Sequence, residues 1–487
     1  MQDTTITLHS RFQIGPVDPR IFGGFLEHMG RAVYEGVYDP DCACADKDGF
    51  RTDVLQALDR LKMTVMRYPG GNFASGYHWM DGVGSREQRP TVRELAWQSI
   101  EPNQVGTDEY IRLCQKMKWT PMLTVNLGTG TPEEARNWVE YCNSPTGTRY
   151  ADWRAANGTP APHSVRLWCL GNEMDGPWQL GHVPADQYAI RAQQAAKMMR
   201  DVDGSIELVA CGSCTPDLPT YIEWDRQVLE YVGDLADYIS LHRYVGNPND
   251  DTPDYLALTN SIDRQIEEMD AVCRFVQAKA RRSSRRSNKR AYLCFDEWNV
   301  WYRARRGTTE YEIASTGLEE HYNFEDALAM GMFLNSFIRH AHIVKMANLA
   351  QLVNVIAPIF TNQEGLYLQP IYFPLVEYGK QRTNQSLDVQ VSRPMYRIGR
   401  REPLCYLDVS ATYDAKEKAV YLNVLNRSEK RDIGTRINNV SGAVGAQAGV
   451  WEMNHPDLKA THTFGDDRKV RPTVRKAELK VVDNGFT

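Results

Sequence analysis

Apolar, β-rich runs recur through the first ~380 residues, at 21–27, 64–71, 120–128, 165–173, 206–212, 238–244, 291–298 and 343–352. Their starts lie about 30–55 residues apart, the spacing of strand-plus-helix units. Between them, 53–61, 185–200, 263–278 and 325–339 repeat apolar residues at helical intervals. Eight strands alternating with helices predict an α/β fold, a (β/α)8 TIM barrel. Near residue 385 the texture changes. The stretches 387–391, 406–413 and 419–426 alternate apolar and polar positions between turn residues, the pattern of an antiparallel β-sandwich. The expected organisation is an N-terminal strand joining the sandwich (1–18), a catalytic barrel (19–384) and a C-terminal, jelly-roll-like β-sandwich (385–487).

Polar residues gather where the apolar runs stop: Glu27, Asn72, Asn126, Asn172 with Glu173, His242 with Tyr244, Glu297, and Asn348 with Gln351. In a barrel these ends form one mouth, where the chemistry of the fold sits. Glu173 ends the fourth run and Glu297 the seventh. Two carboxyls converging from different strands are what glycosidic cleavage needs, one to attack and one to protonate the leaving oxygen. The neighbours divide the roles. Asn172 can hold a sugar hydroxyl beside an acid, Glu173. Tyr244 can donate to a nucleophile, Glu297, and Arg67 can keep it ionised, with His242 as a further support. The expectation is therefore hydroxyl and guanidinium donors around Glu297, and a more apolar Glu173 whose pKa is raised.

Composition narrows the classes. The net charge of −6 gives no footprint for nucleic acid. No run reaches the about 18 apolar residues of a membrane span, and residues 1–7 lack the basic-then-apolar pattern of a secretory leader. The ten Cys are scattered, which reads as free thiols in a cytoplasmic protein. Cys42 with Cys44, and Cys211 with Cys214, lack the second pair or nearby His of a zinc site. No metal and no cofactor is expected, and His28, His78 and His242 read as hydrogen-bonding residues. The segment 279–290 holds seven Lys or Arg and reads as a solvated loop.

The chain closely resembles the bacterial α-L-arabinofuranosidases of glycoside hydrolase family 51. The matching stretches are FGGFLEHMGRAVY (22–34), MRYPGGNF (66–73), LAW (95–97), GNEMDGPWQ (171–179), SLHRY (240–244) and DEWNVWY (296–302). The resemblance implies a retaining, exo-acting hydrolase without metal, with Glu173 as acid/base and Glu297 as nucleophile. It implies that Glu27, Asn72, Asn172, Tyr244 and Gln351 bind the terminal arabinofuranose. It also implies that Trp97, Trp178, Trp298 and Trp301 line the pocket or the next subsite. Family members are typically cytoplasmic homo-oligomers, often hexamers, acting on imported arabinofuranosyl oligosaccharides. Relatives usually continue past Thr487 through a final sandwich strand, so an edge strand is expected to be missing. Three alternatives remain at this point: a barrel glycosidase for another sugar, a catalytically dead carbohydrate-binding protein, and a metal hydrolase.

Overall fold

Why the apolar runs become strands is visible in what they bury. The computed structural model describes residues 4–281, 289–304, 311–392, 394–399 and 401–487. After β1 (Thr4–Pro16), the chain enters β2 (Gly23–Phe25), α1 (Thr52–Leu61), β3 (Val65–Tyr68), a small hairpin of β4 (Val92–Glu94) and β5 (Ser99–Glu101), α2 (Thr107–Met117) and β6 (Thr120–Val125). Next come α3 (Pro132–Asn143), α4 (Arg149–Ala156), β7 (Leu167–Leu170), α5 (Ala185–Val202), β8 (Glu207–Ala210), α6 (Glu223–Val232) and β9 (Tyr238–Val245). The circuit ends with α7 (Thr252–Ala257), α8 (Asn260–Arg281), β10 (Tyr292–Val300), α9 (Phe324–Arg339) and β11 (Val344–Leu349). Eight of these strands close a parallel barrel in the order β10-β11-β2-β3-β6-β7-β8-β9. The (β/α)8 expectation holds.

The barrel is filled in layers. At its floor Val65, Met122, Leu167, Cys169, Val209, Tyr238, Cys294 and Met346 form a buried cluster drawn from seven of the strands. The barrel is thus a packed core and not a pore. Above the floor the lining turns ionic, with Arg67 and Asp296 both buried. Outside, the helices lay apolar stripes on the strands. Within α9, Phe324–Arg339, the buried residues run almost without interruption, because it lies between the barrel and the C-terminal sheet.

Beyond the barrel come β12 (Ile359–Asn362), β13 (Gly365–Leu368), α10 (Tyr372–Tyr378), β14 (Gln385–Val391), β15 (Met395–Tyr396), β16 (Leu404–Cys405), β17 (Leu407–Asp414) and β18 (Ala419–Asn426). They are followed by β19 (Thr435–Asn439), β20 (Gln447–Glu452), β21 (Thr473–Glu478) and β22 (Gly485–Phe486). A six-stranded sheet runs β18-β17-β14-β1-β19-β22, and β20-β21 form a separate ribbon. β1 lies between β14, antiparallel, and β19, parallel. The C-terminal part is thus mostly sheet, and the N-terminal strand is built into it.

The expectation of free thiols throughout is corrected: Cys42 and Cys44 are disulfide-paired. Successive turns, with Cys42 N–H donating to Asp39 C=O and Ala45 N–H to Cys42 C=O, fold the chain back and set the two Cα atoms 5.2 Å apart. The other eight Cys are free. Residues 282–288 of the basic segment lie outside the described residues. At its described ends, Lys279 pairs with Glu230 at 2.6 Å and Lys289 with Asp237 at 2.7 Å.

Candidate active site

Glu173 reaches the mouth by a sharp turn. Leu170 ends β7, Gly171 takes φ +86°, and Glu173 itself sits at φ +45°. That left-handed conformation costs a non-glycine residue of order 1–3 kcal/mol, and such strain collects at functional sites. Its carboxylate accepts the Trp178 indole N–H at 2.7 Å on Oε2, and Oε1 lies 2.9 Å from His242 Nδ1. The expected apolar surroundings are therefore only partly present, because two polar partners hold this carboxyl.

Glu297 lies three strands around the ring, on β10. Arg67 Nη1 donates to its Oε1 at 2.7 Å and the Tyr244 hydroxyl to its Oε2 at 2.9 Å. These are the donors expected from the sequence. One carboxylate oxygen each from Glu173 and Glu297, and one ring nitrogen of His242, all lie within 4.8 Å of one another. Burial, followed by the charges of Glu173 and Asp296, pushes Glu297 above its ordinary value, while His242 and Arg67 pull against it. Its charge is set by a larger cluster than Arg67, Tyr244 and His242 alone: four buried carboxyls, of Glu27, Glu173, Asp296 and Glu297, surround two basic groups, Arg67 and His242.

Asp296 is the residue that sequence reasoning passed over. It accepts from Ser240 Oγ at 2.6 Å and lies 3.2 Å from His242 Nε2 and 3.3 Å from Arg67 Nε. Burial alone would raise it, but Arg67, His242 and the Ser240 bond bring it down to about 2. The signal was available. An Asp inside the apolar run 292–300 can stay buried only with partners. Burial would lower the His242 pKa, yet the charges of Glu297 and Asp296, with hydrogen bonds to Asp296 and Glu173, hold it well above the ordinary value. The imidazole thus joins the two glutamates and the aspartate.

The remaining residues form a wall. Asn172 Oδ1 accepts from Arg67 Nη2 at 2.7 Å, and its Nδ2 lies 3.3 Å from Asn72 Oδ1. Glu27 Oε1 accepts from Phe73 N–H at 3.0 Å and Trp97 Nε1 at 2.9 Å, and Gln351 Nε2 donates to Oε2 at 3.1 Å. Burial and the Glu297 charge push Glu27 up to about 8. Gln351 also accepts the Glu27 N–H at 2.9 Å, so its amide is aligned by Glu27 from both ends. Trp301 packs between Trp97 (6.4 Å) and Tyr244 (5.5 Å). Trp178 is 53% exposed beside Glu173.

Trp298 is a correction. It is 1% exposed and packs against Phe333 and Phe337 of α9, tilted at 5.0 Å and edge-on at 5.3 Å. β10 is irregular between Cys294 and Glu297, so Asp296 and Glu297 both reach the charged cluster, and alternation resumes at Trp298, which packs outward. Asn126 caps the turn after β6, accepting the N–H groups of Gly128, Thr129 and Gly130. Asn348 donates to Gly24 C=O. Two carboxylates unseen from sequence hold the aromatic wall. Glu94 accepts the N–H of Ala96 and of Trp97 at 2.6 and 2.7 Å, and Glu320 accepts those of Tyr302, Arg303 and Ala304 near 3.1 Å.

Glu173, His242 and Glu297 are, among the described residues, the group spaced to share a cation. The Arg67 guanidinium already lies 2.7 Å from Glu297, and a metal would have to bind against that fixed positive charge. His28 and His78 lie elsewhere, on Tyr68 with Glu101 and on Glu134. The arrangement suits in-line attack by one carboxylate and proton donation by the other.

Comparison with known proteins agrees. The model of the α-L-arabinofuranosidase 1 domain matches residues 57–261, and that of the α-L-arabinofuranosidase C-terminal domain matches 296–487. An intracellular exo-α-(1→5)-L-arabinofuranosidase of Bacillus subtilis is 43% identical over 100% of this chain and 97% of its own. One from Acetivibrio thermocellus is 43% identical over 89% and 87%. Among solved structures, a family 51 α-L-arabinofuranosidase of Bifidobacterium longum superposes with TM-score 0.90 at 32% identity, covering 99% of this chain and 96% of the other. An α-L-arabinofuranosidase of Thermotoga maritima, in complex with arabinose, gives 0.89 at 33% over the same shares.

Proposed function

This chain belongs to the α-L-arabinofuranosidases of glycoside hydrolase family 51, and on that premise we propose that it is an exo-acting enzyme releasing terminal non-reducing α-L-arabinofuranosyl residues. The substrates would be short oligosaccharides derived from arabinan and arabinoxylan. The mechanism would be double displacement with retention. Its main support is that one oxygen of Glu173 comes within 4.8 Å of one of Glu297, the close approach of retaining pairs, whose carboxyls lie about 5–5.5 Å apart, rather than of inverting pairs, held about 6.5–9.5 Å apart to admit a water.

In the first step a Glu297 oxygen attacks the anomeric carbon. The bond to the leaving oxygen breaks, and Glu173 transfers its proton there. The Glu173–His242 bond holds a proton at the acid's own oxygen, on whichever partner carries it. In the second step Glu173 takes a proton from water, the water oxygen bonds to the anomeric carbon, and Glu297 is released. Arg67 and Tyr244 hold Glu297 aligned. Asp296 balances Arg67 and His242 so that neither positive charge is left unpaired beneath the sugar. Glu27, Asn72, Asn172 and Gln351 supply donors and acceptors for the furanose hydroxyls, with Trp97, Trp178 and Trp301 as walls.

The Bacillus and Acetivibrio relatives are intracellular arabinofuranosidases by name, which supports a cytoplasmic location. No described helix is long and apolar enough to cross a membrane. Assembly as a homo-oligomer, six copies by the resemblance, belongs to the proposal and is read by analytical ultracentrifugation. The function is tested by initial rates on aryl α-L-arabinofuranoside beside β-D-xyloside, β-D-glucoside and β-D-galactofuranoside, with Glu297→Ala as the blank. Preference for the arabinofuranoside, abolished in the variant, is expected. Equal or greater activity on another sugar would overturn the specificity.

A further inference from the structure

At the opposite end of the barrel from the mouth lies a cleft of about 810 Å³, within the about 300–1,000 Å³ of small-molecule sites. The pairing of β1 with β14 jumps from Leu8↔Val389 to Gln13↔Leu387. Four residues of β1, 9–12, therefore bulge opposite Asp388 alone. Bulges re-aim side chains, and this one carries Phe12 to the rim of the cleft, 62% exposed. His9 stacks on the ring at 4.6 Å and 22°, so one flat aromatic face is backed and the other is open. The second wall comes from α8 and from His342, which precedes β11.

The charges of the cleft cancel. Arg11, Arg274 and Arg339 line it with Glu267, Asp270 and Asp388; Arg274 pairs with Asp270 at 3.0 Å, and Arg339 is held by Asp263 and Asp408 at 2.9 and 2.8 Å. Burial and neighbouring His340 hold His342 below its ordinary value. An ion of either sign gains little here, because each attractive group has a repulsive neighbour. A neutral polyol that donates and accepts along its length can use the exposed Arg11 guanidinium and Asp388 carboxylate together with the His342 imidazole. Its C–H face can lie on Phe12, as sugars lie on aromatic rings.

We propose that this cleft is a second carbohydrate site, which takes a linear arabinofuranosyl segment independently of the mouth. The choice of sugar rests on the proposed function, whereas the existence of the site rests on the cleft. The test is native gel electrophoresis of Glu297→Gln protein, which leaves polymer intact, through gels containing linear arabinan, xylan or no polymer. Arabinan is expected to retard it, and adding Phe12→Ala with His342→Ala is expected to weaken the retardation at least tenfold in apparent affinity. The same two changes in otherwise native enzyme should leave turnover of aryl arabinofuranoside unchanged, which shows that the fold is intact. No retardation by arabinan, retardation by xylan alone, or retardation that survives both changes would each overturn the proposal. So would loss of self-association in the double variant with unaltered arabinan binding, which would assign the rim to contact between copies. Failure of native enzyme to hydrolyse the aryl arabinofuranoside is a separate result and bears on the proposed function.

Discussion

Removing a single hydroxyl, Tyr244→Phe, separates the charge of Glu297 from everything else in the pocket. The Tyr244 hydroxyl donates to Glu297 Oε2 at 2.9 Å, while Arg67 keeps Oε1 at 2.7 Å. Phe preserves the ring against Trp301 and deletes only the donor. A hydrogen bond to a charged group contributes about 1.5–3 kcal/mol. The ionised carboxylate loses this and the protonated form does not. At about 1.36 kcal/mol per pH unit, the acid limb of kcat/KM should move upward by about one to two pH units. The limb is a property of the coupled cluster of Glu27, Glu173, Glu297 and His242, so it is read as a displacement between the two profiles. The plateau should change less than the limb, because the charge that the hydroxyl stabilises leaves the carboxylate as it attacks. The assay is kcat/KM on an aryl arabinofuranoside from pH 4 to 9. A limb that stays fixed while the plateau falls more than about a hundredfold would refute the reasoning, and would place the Tyr244 hydroxyl on the sugar and not on the nucleophile.

Glu173→Ala should cost about 10²–10⁴-fold in kcat/KM on substrates with sugar leaving groups and little in kcat/KM on activated aryl leaving groups, whose kcat falls because the second step lacks its base and is restored by azide; equal losses of kcat/KM on both would argue against an acid role. Asp296→Asn should destabilise by about 3–5 kcal/mol, because Arg67 and His242 lose a buried partner; the urea midpoint measures it, and a change below about 1 kcal/mol would refute the charge balance drawn here. Asp296 is lowered from 3.8 to about 2. Its contribution, about 2 kcal/mol, is therefore complete above pH 3.8 and lost as pH falls toward 2, and the variant should lack that slope. Trp301→Ala should raise KM about tenfold or more, whereas Trp298→Phe should leave KM unchanged and lower stability alone. A KM effect for Trp298→Phe would return that residue to the pocket.

The barrel was legible because its strands are buried on both faces. Runs such as 165–173 and 291–298 are then continuous in apolar residues, and a polar residue stands out where each stops. Glu173 and Glu297 were found that way. What stayed hidden depended on the direction of a side chain at a known position. Trp298 stands beside the nucleophile in sequence and on the opposite side of the strand in space. Asp296 was masked by its neighbour, since the sequence shows an Asp-Glu pair and not that both carboxyls meet Arg67. Glu94 and Glu320 act through backbone N–H groups, which leave no residue-type signature. The Cys42–Cys44 pairing follows from two turns that neither cysteine announces.

The central claim is a covalent bond between Glu297 and the anomeric carbon. Glu173→Ala protein, mixed with an arabinofuranoside bearing an activated aryl leaving group, should accumulate the intermediate, since attack proceeds and water is no longer activated. Rapid-quench mass spectrometry should then find one added anhydropentose, mapped to the peptide carrying Glu297. An unmodified Glu297 peptide under full turnover, or an adduct on Glu27, would contradict the account.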